Sequence, residues 1–213
     1  IALFQAALKL KPRHVESLVG LSVICRSAGR LRDAALHCDA AIKASPAYAA
    51  AWLERAYVMA AGGSLTEAAR CYQQTIKLDS RNVAAIAGLA ALAARNGDTT
   101  EARELANRAL RLEPANVIAA SALASVEIET GAYQAAYDLL APIVAEQKTP
   151  TAERVLVLGL TGEALDKLDR RADAYEHFRR AKHDFAFIHA DKIESRVKTH
   201  RELIEAITAG LEQ

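Results

Sequence analysis

One regular spacing limits what this chain can fold into: a glycine recurs every 34 residues, and an alanine follows each glycine five residues later. The positions are Gly29, Gly63, Gly97 and Gly131, with Ala34, Ala68, Ala102 and Ala136. A second mark keeps the same period, at Pro12, Pro46, Ser80 and Pro114. A fixed period of this length indicates an array of repeats in which no single repeat buries its apolar face alone. We therefore expect an elongated stack of small repeats, with its function on a surface.

Composition and charge favour an all-α protein without a nucleic-acid partner. Alanine, the best helix former, dominates, and no long alternating run of Val, Ile and Thr supports a strand. The 27 Lys and Arg residues nearly balance 26 Asp and Glu residues, for a formal net charge of +1. A nucleic-acid binder needs a basic stripe to neutralise phosphates. The densest basic region, residues 170–201, is interleaved with acidic residues, which is typical of a solvated helix face.

The cysteines and the apolar runs bear on the compartment. Cys25, Cys38 and Cys71 lack metal-type spacing, and Cys25 and Cys38 fall at inward repeat positions, where a thiol acts as a small apolar side chain. Free thiols favour a reducing, cytoplasmic location. No uninterrupted apolar run reaches the roughly 18 residues of a membrane span, so no membrane partner is expected. Because the sequence opens inside a repeat, we expect its natural N-terminus to be missing, and localisation stays open.

Each repeat is predicted to contain an apolar helix A, a turn near the glycine, a helix B, and a Pro or Ser stop. In the first complete repeat the inward positions are Leu18, Leu21 and Cys25 on helix A and Ala34, Cys38 and Ala41 on helix B. Gly29 can adopt the positive φ that commonly ends a helix. The small side chains of helix B predict close packing against helix A.

The residues at these spacings resemble the tetratricopeptide repeat. The second repeat supplies Trp52, Ala56, Ala68, Tyr72 and Ser80, and the fifth supplies Leu158, Gly162, Leu165, Ala174, Phe178 and Ala181. The resemblance extends over residues 1–188 and implies an all-α, right-handed superhelical solenoid of helix-turn-helix repeats. It also implies that helix A of each repeat lines the concave side.

The frame divides the chain into repeats with an expected C-terminal capping helix. Its segments are the second helix of a truncated repeat at 1–14, then repeats at 15–48, 49–82, 83–116, 117–150 and, after a four-residue frame slip, 151–188, and the capping helix at 189–213. The truncated repeat predicts an open apolar face at the N-terminal end. A capping end with a polar face is what repeat arrays need.

Several local signals lead to narrower expectations. Ser64 with Glu67 forms a capping-box pattern before helix B of its repeat, and Asp98 with Glu101 resembles one in the next. Pro142 lies inside a predicted helix B and should kink or end it. In the fifth repeat Asp169 occupies the position of the turn glycine, so a regular turn is less certain there.

Residues that could carry chemistry are scattered rather than grouped. None of the six histidines has a second histidine four residues away, and none has ligand-spaced cysteines or carboxylates. The acidic residues Asp166, Asp169 and Asp173 lack the glycine-containing calcium-loop pattern. The sequence also lacks a Gly-rich phosphate loop and a Ser-centred nucleophile motif. We therefore predict no catalysis, no metal and no cofactor in these residues.

A partner is instead expected along the helix-A groove. The groove positions in this frame are Glu16, Val19, Val23, Arg26, Leu53, Glu54, Tyr57, Ala87, Ala91, Arg95, Ser121, Ser125 and Glu129. Tetratricopeptide modules that clamp a partner's C-terminal carboxylate use Lys, Arg and Asn at such positions. Here they are mostly apolar, which disfavours a carboxylate clamp and suits a helix or an extended apolar segment, with Tyr57 as the one aromatic anchor. The alternative is that neighbouring helices fill this face, so that its alanines only pack.

Three functions fit these features. The first is a protein–protein interaction scaffold that binds a partner protein or peptide in the groove. The second is the non-catalytic region of an enzyme, because residues 162–181 resemble the end of the repeat region in bacterial tetratricopeptide–sulfotransferase fusions. The third is a homo-oligomerisation module that uses exposed apolar surface.

Overall fold

The computed structural model describes residues 2–190, and in this range the chain forms eleven α-helices and no strand. The helices are α1 Ala2–Leu10, α2 Val15–Ser27, α3 Leu31–Ala44, α4 Ala49–Ala61, α5 Leu65–Leu78, α6 Val83–Arg95, α7 Thr99–Leu112, α8 Val117–Glu129, α9 Tyr133–Glu146, α10 Ala152–Lys167 and α11 Arg171–Ile188. The prediction of an all-α fold is confirmed. The expected capping helix at 189–213 lies outside the described residues from position 191 onward.

The chain divides into two compact units, Ile1–Val126 and Glu127–Gln213. In the first unit, α2 packs against α3, α4 against α5, and α6 against α7, each pair joined by a three-residue connection. Each pair also packs against the next, through α3 with α4 and α5 with α6. In the second unit, α10 packs against α9 and α11. The A helices of the repeats are α2, α4, α6, α8 and α10. The B helices are α1, α3, α5, α7, α9 and α11.

Alanines form much of the core, because small side chains let three successive helices approach one another. In the first unit, Ala90 of α6, Ala106 of α7 and Ala122 of α8 form one buried cluster. Ala93, Ala102 and Val126 form the next cluster along the same three helices. Little apolar area is buried per alanine, so stability depends on many close contacts rather than on a few large side chains.

The turn between helices A and B has one geometry in both units. Gly29 has a φ of 73°, and the following Arg30 N–H donates to the Cys25 carbonyl at 2.8 Å. Asp169 has a φ of 59°, and the following Arg170 N–H donates to the Leu165 carbonyl at 2.9 Å. The expectation of a less regular turn at Asp169 is therefore wrong. Asp is one of the few residues that tolerate this left-handed conformation.

The capping-box expectation is corrected in part, and the expectation for Pro142 is narrowed. Asp98 does cap α7, because its Oδ1 accepts from the Glu101 N–H at 3.1 Å, but Ser64 makes no side-chain hydrogen bond to α5. Helix α9 continues through Pro142 to Glu146, so that proline does not end it, and a kink there stays a prediction. Pro142 is exposed, which lets water hydrogen-bond to the carbonyl left without an N–H partner.

Candidate functional site

The candidate binding surface is the outward side of α2, α4 and α6 in the first unit, here called the A-face. Helices α2 and α4 pack side by side. Of the predicted groove residues, Glu16, Val23 and Arg95 are exposed, and Val19, Arg26, Leu53, Tyr57, Ala91 and Ser125 are half-buried. Glu129 is also exposed, but it belongs to the second compact unit. The exposed and half-buried side chains of α2, α4 and α6 are therefore the ones available to a partner.

Three predicted groove residues lie in the interior instead. Ala87 has no exposed surface and packs in a core cluster with Ala109 and Ala119, so it serves packing. Glu54 is 4% exposed and Ser121 is 3% exposed. At these positions the neighbouring helices cover the side chain, which is the alternative that the alanine-rich sequence left open.

Glu54 is buried because it forms an internal ion pair with Arg26 of the adjacent helix. Arg26 Nε donates to Glu54 Oε1 at 2.8 Å, and Arg26 Nη2 donates to Oε2 at 3.1 Å. Two parallel bonds of this kind fix the geometry of both side chains. The Ser22 hydroxyl adds a donor to Glu54 Oε1 at 3.3 Å. The Glu54 hydrogen bond raises the pKa of the Arg26 guanidinium, so Arg26 keeps its positive charge.

Tyr57 is held between this ion pair and the core. The Arg26 guanidinium lies over the Tyr57 ring, 5.2 Å from its centroid. On the other side, Tyr57 meets the Tyr72 ring edge-on, with centroids 6.0 Å apart and an interplanar angle of 76°. Burial raises the pKa of the Tyr57 hydroxyl. Tyr57 is therefore a neutral, half-buried aromatic side chain held in one orientation.

Sequence reasoning missed the polar group beneath this surface. Ser22 Oγ lies 3.0 Å from Cys38 Sγ, so the buried contacts run from α3 through Ser22 to Glu54. A signal was present in the repeat frame: Gly20, Gly88 and Ala122 occupy the positions equivalent to Glu54. A carboxylate where the first, third and fourth repeats have small residues predicts a partner that neutralises it.

Two clefts of the first unit are each lined by two successive B helices and the A helix between them. The first has a volume of about 540 Å³ and contains Leu8, Leu21, Ile24 and Leu36 with charged side chains at its rim. The second, of about 490 Å³, is lined mainly by charged and amide side chains, among them an ion pair between Arg55 and Asp39. Neither cleft brings together three potential metal ligands, and the same holds for the rest of residues 2–190. Within these residues every helix is too short or too polar to cross a bilayer.

Solved structures with the same architecture include YrrB, described as a TPR protein with an unusual peptide-binding site. YrrB is 16% identical to this chain, with a TM-score of 0.61 over 89% of this chain and 97% of YrrB. The Cut9–Hcn1 assembly of the APC/C matches at 13% identity and a TM-score of 0.77, over 92% of this chain and 39% of its own. A tetratricopeptide repeat protein from Parabacteroides merdae matches at 16% identity and a TM-score of 0.66, over 85% and 70%. At such identities the likeness shows the fold alone.

Sequence models of the repeat itself match most of the chain. One tetratricopeptide repeat model matches residues 1–49, 29–83 and 53–116, and a second matches residues 93–158. The search of curated proteins finds no match. These matches confirm the resemblance to the repeat family, while the resemblance to sulfotransferase fusions stays a prediction. The chain belongs to the tetratricopeptide repeat family.

Proposed function

We propose that this chain is a protein-interaction scaffold that binds an uncharged, apolar helix or extended segment of a partner along the A-face. The observation that carries the proposal is the chemistry of the surface between α2 and α4. Val23 is 38% exposed, and Val19, Leu53 and Tyr57 are half-buried beside it. The one cation among them, Arg26, is already paired internally.

The fixed orientation of Tyr57 supports binding rather than packing as the role of this surface. A tyrosine offers a large contact area with few rotatable bonds, and Arg26 and Tyr72 already restrict those bonds. A partner therefore loses little additional entropy when it contacts this ring. The description of YrrB as a peptide-binding protein of the same fold agrees with a peptide or helix as the partner.

The experiment selects peptides from a displayed random library on the immobilised protein and measures the affinity of the enriched peptides. The A-face variant Val23→Glu with Leu53→Glu introduces two charges that a bound partner would bury. It should weaken binding at least tenfold. The matched control is Leu36→Glu on α3, whose side chain is 67% exposed on the B-helix side. This control should bind as the wild type does.

Equal affinity of the wild type and the A-face variant for the enriched peptides would overturn the proposal. A second copy of the chain is the alternative occupant of the A-face. Light scattering over a concentration series tests for this self-association. If self-association uses the A-face, the paired substitution abolishes it and the Leu36→Glu control does not.

A further inference from the structure

Glu54 differs from the other predicted A-face residues because it is ionic and cannot touch a partner. Its side chain is 5% exposed, whereas that of Arg26 is 28% exposed. A bound segment would therefore contact the cation of this pair and not its carboxylate. The equivalent positions of the first, third and fourth repeats hold glycine or alanine, so the fold itself does not require a carboxylate here.

We infer that Glu54 sets the charge selectivity of the A-face between α2 and α4: by holding Arg26 in an internal ion pair, it makes this part of the face accept uncharged segments and disfavour acidic ones. The inference rests on the proposed function, because it concerns the partner of that same surface. Arg26 commits both Nε and Nη2 to Glu54 and stacks on Tyr57. To take over these two bonds a partner carboxylate would have to displace Glu54, and at the remaining N–H groups of Arg26 it would meet a charge that Glu54 already neutralises.

The neighbouring charged residues do not change the neutrality of the Arg26–Glu54 pair. Glu16 is exposed at the start of α2, with its Oε2 3.4 Å from His14 Nε2. Arg55, next to Glu54 in sequence, pairs with Asp39 of α3 instead. The Arg26–Glu54 pair therefore adds no net charge to the surface between α2 and α4. Loss of the Glu54 charge would leave one uncompensated cation beside Tyr57.

The test runs the same library selection in parallel on the wild type, on Glu54→Gln, and on the double variant Arg26→Gln with Glu54→Gln. Glu54→Gln should enrich peptides that contain Asp or Glu, and the double variant should keep the wild-type preference. For matched peptides that differ by one Glu-to-Gln change, the preference of Glu54→Gln for the acidic peptide should be on the order of tenfold. That preference should fall with added salt.

The outcomes separate this inference from the proposed function. If no variant and no wild-type protein enriches a peptide, the proposed function fails. If all three proteins enrich the same uncharged peptides with the same Glu-to-Gln preference, Glu54 has only a structural role and the inference is overturned. If circular dichroism shows that Glu54→Gln does not fold, Arg26→Gln tests the opposite change, in which the cation of the pair is lost. It leaves the carboxylate unpaired, and an unchanged discrimination against acidic peptides would equally overturn the inference.

Discussion

The ring of Tyr72 occupies the space that a side chain at Gly88 would need. A Cβ placed on Gly88 would lie 2.5 Å from Tyr72 Cζ and 2.9 Å from its Oη. Tyr72 belongs to α5 and Gly88 to α6, so this contact joins one helix pair to the next. Phe4 meets Gly20 in the same way, at 2.6 Å. These helical glycines therefore provide room for an aromatic ring from the preceding B helix.

The first prediction is that Gly88→Ala destabilises the protein by about 1–3 kcal/mol, the usual cost of overpacking a closely packed core. The added methyl group displaces the Tyr72 ring, which is 4% exposed and cannot swing into solvent without losing its burial. Urea denaturation followed by circular dichroism measures the change in the free energy of unfolding.

The matched control for Gly88 is Gly159, a helical glycine with no atom within 4 Å of an added Cβ. Gly159→Ala should stabilise the protein by roughly 0.5–1 kcal/mol, because alanine loses less backbone entropy in a helix. If both variants stabilise the protein to the same extent, the Tyr72 ring is not the reason for glycine at position 88.

The second prediction concerns Asp169, the described non-glycine residue with positive φ. Asp169→Gly should stabilise the protein by about 0.5–1 kcal/mol, because glycine adopts this φ without the steric cost of a Cβ. The exposed pair that Asp169 forms with Arg171 offsets little of this gain, since both side chains are about 80% exposed. Thermal unfolding measures the effect.

The reverse substitution in the same compact unit is Gly131→Asp, at a φ of 84°. It should destabilise by a similar amount. A more stable Gly131→Asp, or a less stable Asp169→Gly, would contradict the interpretation that backbone conformation decides the residue at this turn.

The sequence predicted the helices better than it predicted the candidate site, for a physical reason. Turn glycines and inward alanines act locally, so their 34-residue period locates each helix. Burial of a groove residue depends on which helices cover it. Ala87 and Leu53 occupy equivalent positions in successive repeats, yet Ala87 is fully buried and Leu53 is half-buried. The Arg26–Glu54 pair joins side chains 28 residues apart, and only the folded structure shows that they meet.

The third prediction concerns a buried ion pair in the second unit. Arg154 Nη1 donates to Asp184 Oδ2 at 2.6 Å, and the two side chains are 10% and 4% exposed. Asp184→Ala leaves a buried guanidinium without its counter-ion and should destabilise the protein by about 3 kcal/mol. The control is Asp173→Ala, which breaks the exposed pair with Arg170 and should cost under about 1 kcal/mol. Equal costs in urea denaturation would show that burial does not strengthen the first pair.

The fourth prediction is a loss of stability at alkaline pH through Cys38. Burial raises the pKa of its thiol from an ordinary value of 9.0 to about 11. Between these values the unfolded chain releases the thiol proton while the folded protein retains it. Unfolding is then favoured by rising pH, and this group removes about 2 kcal/mol of stability by pH 11, almost none of it below pH 8.

The measurement for Cys38 is the free energy of unfolding from pH 7 to pH 11 for the wild type and Cys38→Ala. The variant should be less stable at pH 7, because a fully buried side chain is shortened. Its stability should fall less steeply above pH 9, so the two curves converge. In the native wild type at pH 8, iodoacetamide should leave Cys38 unmodified, because the thiolate is the nucleophile and this thiol is protonated and buried. Parallel curves, or rapid native-state alkylation of Cys38, would show that its thiol is exposed to solvent in the folded protein.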